Sequence, residues 1–276
     1  MLDPIDQNCL KTILSDIGAA VTKSIGQHYL VDPSVRDQIL AAAQLKSGDT
    51  VVEIGPGVGT LTSALVPRVK KIIAIEKDRR IGEYLRASNN PKLKIIIGDA
   101  LLRLPYLEIS GDYKIVSNLP YQITTPVVHE ILERDPLPSL VVLMVQREVA
   151  NRLIALPGNR ERGIITVLAE ARGGFEKIAD ISPAAFWPQP KVNSAIVRLR
   201  PKSTISQSDY QRLKIVVKAG FSRPRATLAN SLSGGLRLPK DRAIDYLVSA
   251  QIDPNLRAEK LSLEQWLVLA RTISAI

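Results

Sequence analysis

A chain of 276 residues with 45% hydrophobic and 23% charged content has an ordinary globular composition and can bury a full core in one large domain or two smaller ones. Its single cysteine, Cys9, excludes an intramolecular disulfide and a multi-thiolate metal site, in keeping with a reducing compartment. The net charge of +10 is uneven: residues 1–190 hold 22 Lys/Arg against 21 Asp/Glu, residues 191–276 hold 15 against 6, and this asymmetry favours a polyanionic partner over a merely solvated basic face.

The first residues, MLDPIDQNCLKTILSDIG, mix acids with short apolar pieces and contain neither a basic leader nor an 18-residue apolar span. The expectation is a soluble, cytoplasmic protein without a membrane partner. Asp32 and Pro33 then suit the cap and first position of a helix over 33–43. Five β-branched runs follow, at residues 50–55, 70–76, 93–99, 113–118 and 139–146, separated by helical patterns. Near-continuous apolar strands alternating with helices predict a doubly wound α/β fold with a mostly parallel sheet covered on both faces. Residues 178–181 and 193–200 read as further strands able to add antiparallel pairing at the sheet edge. After a polar stretch at 200–209 the pattern turns helical, with apolar residues at Leu213, Val216 and Val217, a helix after Pro239, and Ser262 with Gln265 as a capping box. These patterns divide the chain into an α/β domain, 1–203, and a small basic helical domain, 204–276.

The ends of the strands carry the chemistry. VVEIGPGVGTLT sets Gly55, Gly57 and Gly59 at the turn after the first long strand, where glycine permits close backbone approach to a ligand; alone, such a turn is equally a plain structural one. Glu76 ends the second run, 21 positions after Gly55, where an acid can accept both hydrogen bonds of a ribose diol. Asp99 ends the third run and Asn118 the fourth. Four consecutive strand ends bearing Gly, Glu, Asp and Asn on one sheet edge indicate an adenosine-type site. Nicotinamide and S-adenosylmethionine sites share this layout, and the G-x-G-x-G spacing disfavours the dinucleotide.

Asn118-Leu119-Pro120-Tyr121 has a specific use. Methyl transfer to an exocyclic base amine asks for acceptors that hold the amino hydrogens and for a ring that stacks on the base. Asn118 offers a side-chain oxygen, Leu119 a carbonyl whose direction Pro120 restricts, and Tyr121 the ring. The competing reading is a turn in which Asn118 caps the next helix and Tyr121 packs.

From KSIGQHYLVD through VVEIGPGVGTLT, IAIEKD, GDAL, SNLPYQITTP, MVQREVANRL, AAFWPQPKVNSAIVRL and RAEKLS, the chain resembles the ribosomal RNA adenine N,N-dimethyltransferases of the kasugamycin-sensitivity type. The resemblance implies dimethylation of adenines in small-subunit rRNA on a pre-ribosomal particle, with S-adenosyl-L-methionine as cofactor, no metal, and a monomeric enzyme. It implies that His28, Leu30, Gly55, Gly57, Glu76, Asp99 and Asn118 line the cofactor site. Asn118, Leu119, Pro120 and Tyr121 would receive the adenine, with Phe186 stacking on its other face. Two positions depart from the family pattern: His28 stands where an asparagine is usual, and Pro224 interrupts a basic run after Phe221. A large-subunit methyltransferase of the macrolide-resistance type, an inactive RNA-binding assembly factor and a nicotinamide oxidoreductase are the alternatives.

Overall fold

Strands that are apolar along their whole length need cover on both faces, and the chain supplies it by alternating strands with helices. The computed structural model describes residues 4–19, 28–202 and 205–274, with residue 274 by its backbone alone. Gly26 and Gln27 of the motif before Tyr29, and residues 203 and 204 of the expected linker, lie outside these. In chain order the first elements are α1 (Gln7–Asp16), β1 (Tyr29–Leu30), α2 (Pro33–Ala43), β2 (Thr50–Ile54), α3 (Thr60–Leu65), β3 (Lys71–Glu76), α4 (Arg79–Ala87), β4 (Leu93–Ile97), α5 (Ala100–Arg103), β5 (Tyr113–Asn118), α6 (Thr124–Glu133) and β6 (Leu140–Gln146). They continue with α7 (Arg147–Leu153), α8 (Ile164–Ala171), β7 (Phe175–Ile181), β8 (Phe186–Trp187), β9 (Ser194–Leu199), α9 (Gln207–Gly220), α10 (Leu228–Leu236), α11 (Lys240–Ser249) and α12 (Leu263–Ser274).

Seven strands form one sheet in the order β4-β3-β2-β5-β6-β9-β7. The pairings among β4, β3, β2, β5 and β6 are parallel, and β9 runs antiparallel to β6, with Gln146 opposite Ser194. All five runs expected as parallel strands are present, and the two later runs supply β7 and β9 at the edge. Val51, Val52, Ile54, Ile72, Ile115 and Val116 are wholly buried, each contributing about 1.5–3 kcal/mol relative to exposure. α2 starts as its sequence requires: the Asp32 carboxylate accepts from the Ser34 amide at 2.8 Å, and Pro33 occupies the first turn.

The chain divides into two compact units, Met1–Ala150 with Glu176–Pro201, and Asn151–Phe175 with Lys202–Ile276. The second unit therefore takes in a segment that a linear division at 203 leaves in the first. The reason is packing: α8 lies against α9, and Arg172 at its end sets its guanidinium 3.7 Å from the Tyr210 ring centroid while donating to Gln207 Oε1 at 2.6 Å. Arg162 is buried and makes two 2.7 Å bonds to Glu170, the fork-to-carboxylate arrangement that lets a buried guanidinium remain charged. Trp266 of α12 is fully buried and stacks on Phe221; no side chain larger than hydrogen fits at Gly220, whose added Cβ would fall 2.4 Å from that indole. The capping box forms both its bonds, Ser262 N–H to Gln265 Oε1 at 3.0 Å and Gln265 N–H to Ser262 Oγ at 3.3 Å. Pro224 lies in the turn between α9 and α10, so it interrupts neither helix, and Arg223 and Arg225 beside it are exposed.

Candidate active site

Chain order reverses between β2 and β5, the place where an open α/β sheet parts and binds its ligand. Only Thr50, Val51 and Val52 pair with β5. Beyond them a side chain replaces the ladder: Ser117 Oγ accepts from the Ile54 amide at 3.3 Å and donates to the Ile54 carbonyl at 2.5 Å. The strands are thus held apart with their buried polar groups still paired, and a cavity of about 430 Å³ opens past their carboxyl ends. His28, Leu30, Gly55, Gly57, Glu76, Asp99, Asn118, Leu119, Pro120 and Tyr121 all line it.

The glycines of the turn answer to the protein itself. Gly55 and Gly57 have φ of +66° and +55°, and a Cβ on Gly55 would lie 3.1 Å from the Pro120 ring, one on Gly57 3.2 Å from the Tyr29 ring. Left-handed backbone and close neighbours together require glycine at both positions. Gly59 precedes the six-residue α3 without any side-chain cap.

Glu76 is buried, and its two carboxylate oxygens are engaged separately: Oε2 accepts from the Gly57 amide at 3.1 Å and Oε1 from the Asp78 amide at 2.8 Å. One carboxylate therefore ties the glycine turn to the start of α4. Burial raises its pKa even against these hydrogen bonds. Asp99 is better solvated; Lys77 Nζ at 2.9 Å and the Leu101 amide at 3.0 Å hold its carboxyl below the usual range.

At the end of β5 the polar groups are arranged differently. The Pro120 carbonyl accepts from the Ile123 amide and from Thr124 Oγ1, at 3.2 and 3.1 Å. Among the described residues the Asn118 carboxamide and the Leu119 carbonyl have no hydrogen-bond partner. Asn118 does not cap the following helix, so that part of the competing turn reading is absent. Tyr121 is half-buried, its hydroxyl 2.6 Å from Ser194 Oγ and its ring centroid 5.4 Å from that of His28. His28 Nδ1 lies 2.7 Å from the Pro188 carbonyl; a carbonyl only accepts, so Nδ1 carries a proton.

His28 and Leu30 reach the cavity through a two-stranded ribbon, β1 with β8, that pairs Tyr29 with Trp187 and Leu30 with Phe186. Phe186, expected to stack on the base, belongs to the same ribbon. Its ring is 2% exposed, packed in the core with Ile181 and Ala185, and does not border the cavity. It supports the strand that carries Leu30, and offers no free face to a base in this arrangement.

Three further cavity residues were not singled out from the sequence. Tyr29 packs on the glycine turn, and burial raises its phenol pKa. Glu53, wholly buried, accepts from Thr62 Oγ1 at 2.7 Å, and burial pushes its pKa up to about 8. Thr60 Oγ1 is a buried hydroxyl without a partner among the described residues. An acid inside an apolar strand, as in VVEIG, was the available signal for Glu53.

The model of the ribosomal RNA adenine dimethylase family matches residues 18–275. The ribosomal RNA small subunit methyltransferase A of Desulfitobacterium hafniense (strain DSM 10664 / DCB-2) is 41% identical over 264 residues, covering 93% of each chain. That of Syntrophotalea carbinolica is 42% identical over 257 residues, covering 91% of this chain and 96% of the relative. Among solved structures, a dimethyladenosine transferase from Plasmodium falciparum superposes with a TM-score of 0.75 at 27% identity, covering 88% of this chain and 96% of the other. The 23S rRNA methyltransferase ErmE superposes with 0.66 at 26% identity, covering 89% and 99%. The α/β sheet is thus that of known RNA methyltransferases.

Proposed function

The chain belongs to the ribosomal RNA adenine dimethylase family, and on that premise we propose that it transfers methyl groups from S-adenosylmethionine to the exocyclic amines of adjacent adenines in small-subunit rRNA, within a pre-ribosomal particle. The relatives at 41% and 42% identity bear a small-subunit name, whereas the large-subunit enzyme stands at 26%. This favours the small subunit over the macrolide-resistance alternative.

The residues of the cleft fit such a cofactor. Among the described residues, Glu76, Asp78 and Asp99 line it with one lysine, Lys77, which is itself paired with Asp99, while Glu53 beside them keeps its proton up to about pH 8 and adds no charge at neutral pH. An acid-lined cleft in a chain of net charge +10 suits a cationic ligand and opposes the pyrophosphate of a nicotinamide dinucleotide. Glu76 keeps free lone pairs after accepting two amides, enough for ribose hydroxyls, because a carboxylate offers about four acceptor sites. Gly55 and Gly57 leave the turn without side chains, and the unpartnered Thr60 hydroxyl is available to a polar group. When bound, the cofactor supplies a methyl group already activated on a cationic sulfur.

One observation carries the reading of the substrate: the Asn118 carboxamide and Leu119 carbonyl line the cleft with no partner among the described residues. Asn118 is partly buried and Leu119 buried, and two acceptors left open at adjacent positions of the cleft match the two hydrogens of an adenine amine. Holding those hydrogens turns the nitrogen lone pair towards the methyl group, while Tyr121 stacks on the base. Drawing an adenine from its stack costs a few kcal/mol, and an aromatic contact returns about 1–3 kcal/mol. Isolated small and large ribosomal subunits lacking these methyl groups, offered with a labelled donor, test the assignment. Label entering adenines of the small subunit is expected; label in the large subunit, or in neither, contradicts it.

A further inference from the structure

Tyr121 is anchored by a residue with no role in the chemistry described so far. Ser194 opens β9, pairs across the sheet with Gln146, and is wholly buried. Its Oγ lies 2.6 Å from Tyr121 Oη, a short hydroxyl pair in which either oxygen can donate. The bond spans 73 positions of sequence and joins the turn after β5 to the strand beyond β6. Tyr121 is thus gripped at its hydroxyl by Ser194, and its ring lies beside the His28 ring, tilted by 34°. His28 is fixed in turn by the Pro188 carbonyl.

A tyrosine ring turns about two side-chain torsions, and a hydrogen bond at its far end removes most of that freedom. A stacking platform needs such restraint, since a base presented a fraction of an ångström or a few degrees astray loses its line to the reacting methyl group. Burial raises the Tyr121 pKa, so the phenol stays neutral and keeps its proton for the shared bond.

We propose that Ser194 is a positioning residue for methyl transfer: through its hydroxyl it sets the attitude of the Tyr121 ring that receives the target adenine. This rests on the reading of Tyr121 as the adenine platform. Ser194 touches neither adenine nor cofactor. It acts on the rate of the bound complex, not on cofactor affinity.

The test is single-turnover methylation of small ribosomal subunits at saturating methyl donor by Ser194→Ala, Tyr121→Phe, the double variant and Tyr121→Leu, with cofactor Kd from calorimetry and Tm for each. Ser194→Ala and Tyr121→Phe each remove the bond, and each is expected to slow transfer about tenfold or more with cofactor Kd unchanged. The double variant is expected to be no slower than the slower single one, because one bond is lost in all three. If Ser194→Ala does not fold, Tyr121→Phe alone decides, since it deletes the same bond from the other side. Parental rates in Ser194→Ala and Tyr121→Phe beside a silent Tyr121→Leu would overturn the proposal and leave the platform standing, even if Tm falls, as satisfaction of a buried serine and a half-buried tyrosine hydroxyl alone would require. Additive losses, or a loss carried by cofactor affinity, would also overturn it. Tyr121→Leu at the parental rate would remove the platform reading itself.

Discussion

Glu53 shows what one buried acid does to the whole chain. In the fold it keeps its proton up to about pH 8, against 4.5 for an ordinary glutamate, because burial penalises its charge more than the Thr62 hydrogen bond favours it. Between those values the unfolded chain binds fewer protons than the folded one, so this residue lowers stability as pH rises. Glu53→Gln removes the ionisation, and its Tm is expected to gain on that of the parent from about pH 5 to about pH 8. A constant Tm difference across that range would show that Glu53 is ionised throughout. Glu76 lies in the same cleft, and burial raises its pKa as well, against the hydrogen bonds from the Asp78 and Gly57 amides. Sequence placed Glu76 at a strand end and passed over Glu53, because a strand end points to a ligand, whereas an acid within an apolar strand marks an unusual position without saying whether it faces a ligand or the core.

At the scale of elements the β1–β8 ribbon matters most. It joins two residues from each of two segments far apart in sequence, and it turns His28, Tyr29 and Leu30 into the cleft. Phe186→Ala is expected to cost about 3–5 kcal/mol in denaturant unfolding, the usual loss for a buried phenylalanine. Unchanged stability with lost turnover would return this ring to the base. The five parallel strands were legible because each is a long apolar run between turn signals. A two-residue strand shows no period, so the ribbon was not legible, nor was the packing of Phe186 in the core. α10, LANSLSGGL, escaped for another reason. Its serines and glycines are poor helix formers, and Gly235 is there because α9 passes so close that a Cβ would lie 2.5 Å from Ala219 Cα. Packing, invisible in one sequence, overrides propensity there.

At the scale of the whole molecule, charge and chemistry are separated along the chain. The strand ends hold an acid-lined cleft, while the basic excess begins beyond residue 190. Composition alone made that excess legible; the membership of Asn151–Phe175 was not, because it depends on α8 finding α9 across a long stretch of chain. Arg223 and Arg225 are exposed in the turn after α9, suited to phosphate contacts that carry no base specificity. Replacing both by alanine is expected to weaken rRNA affinity and to lower its dependence on log salt by about one unit for each phosphate no longer neutralised, with the single-turnover rate preserved at saturating RNA. An unaltered salt slope would place the docking surface elsewhere. The central claim, that Asn118 and Leu119 hold an adenine amine for methylation, is tested most directly by mass spectrometry of small-subunit rRNA after reaction with the parent and with Asn118→Ala. The account predicts dimethyladenosine from the parent and none from the variant, with RNA binding retained. Dimethyladenosine formed by Asn118→Ala at the parental rate would contradict it.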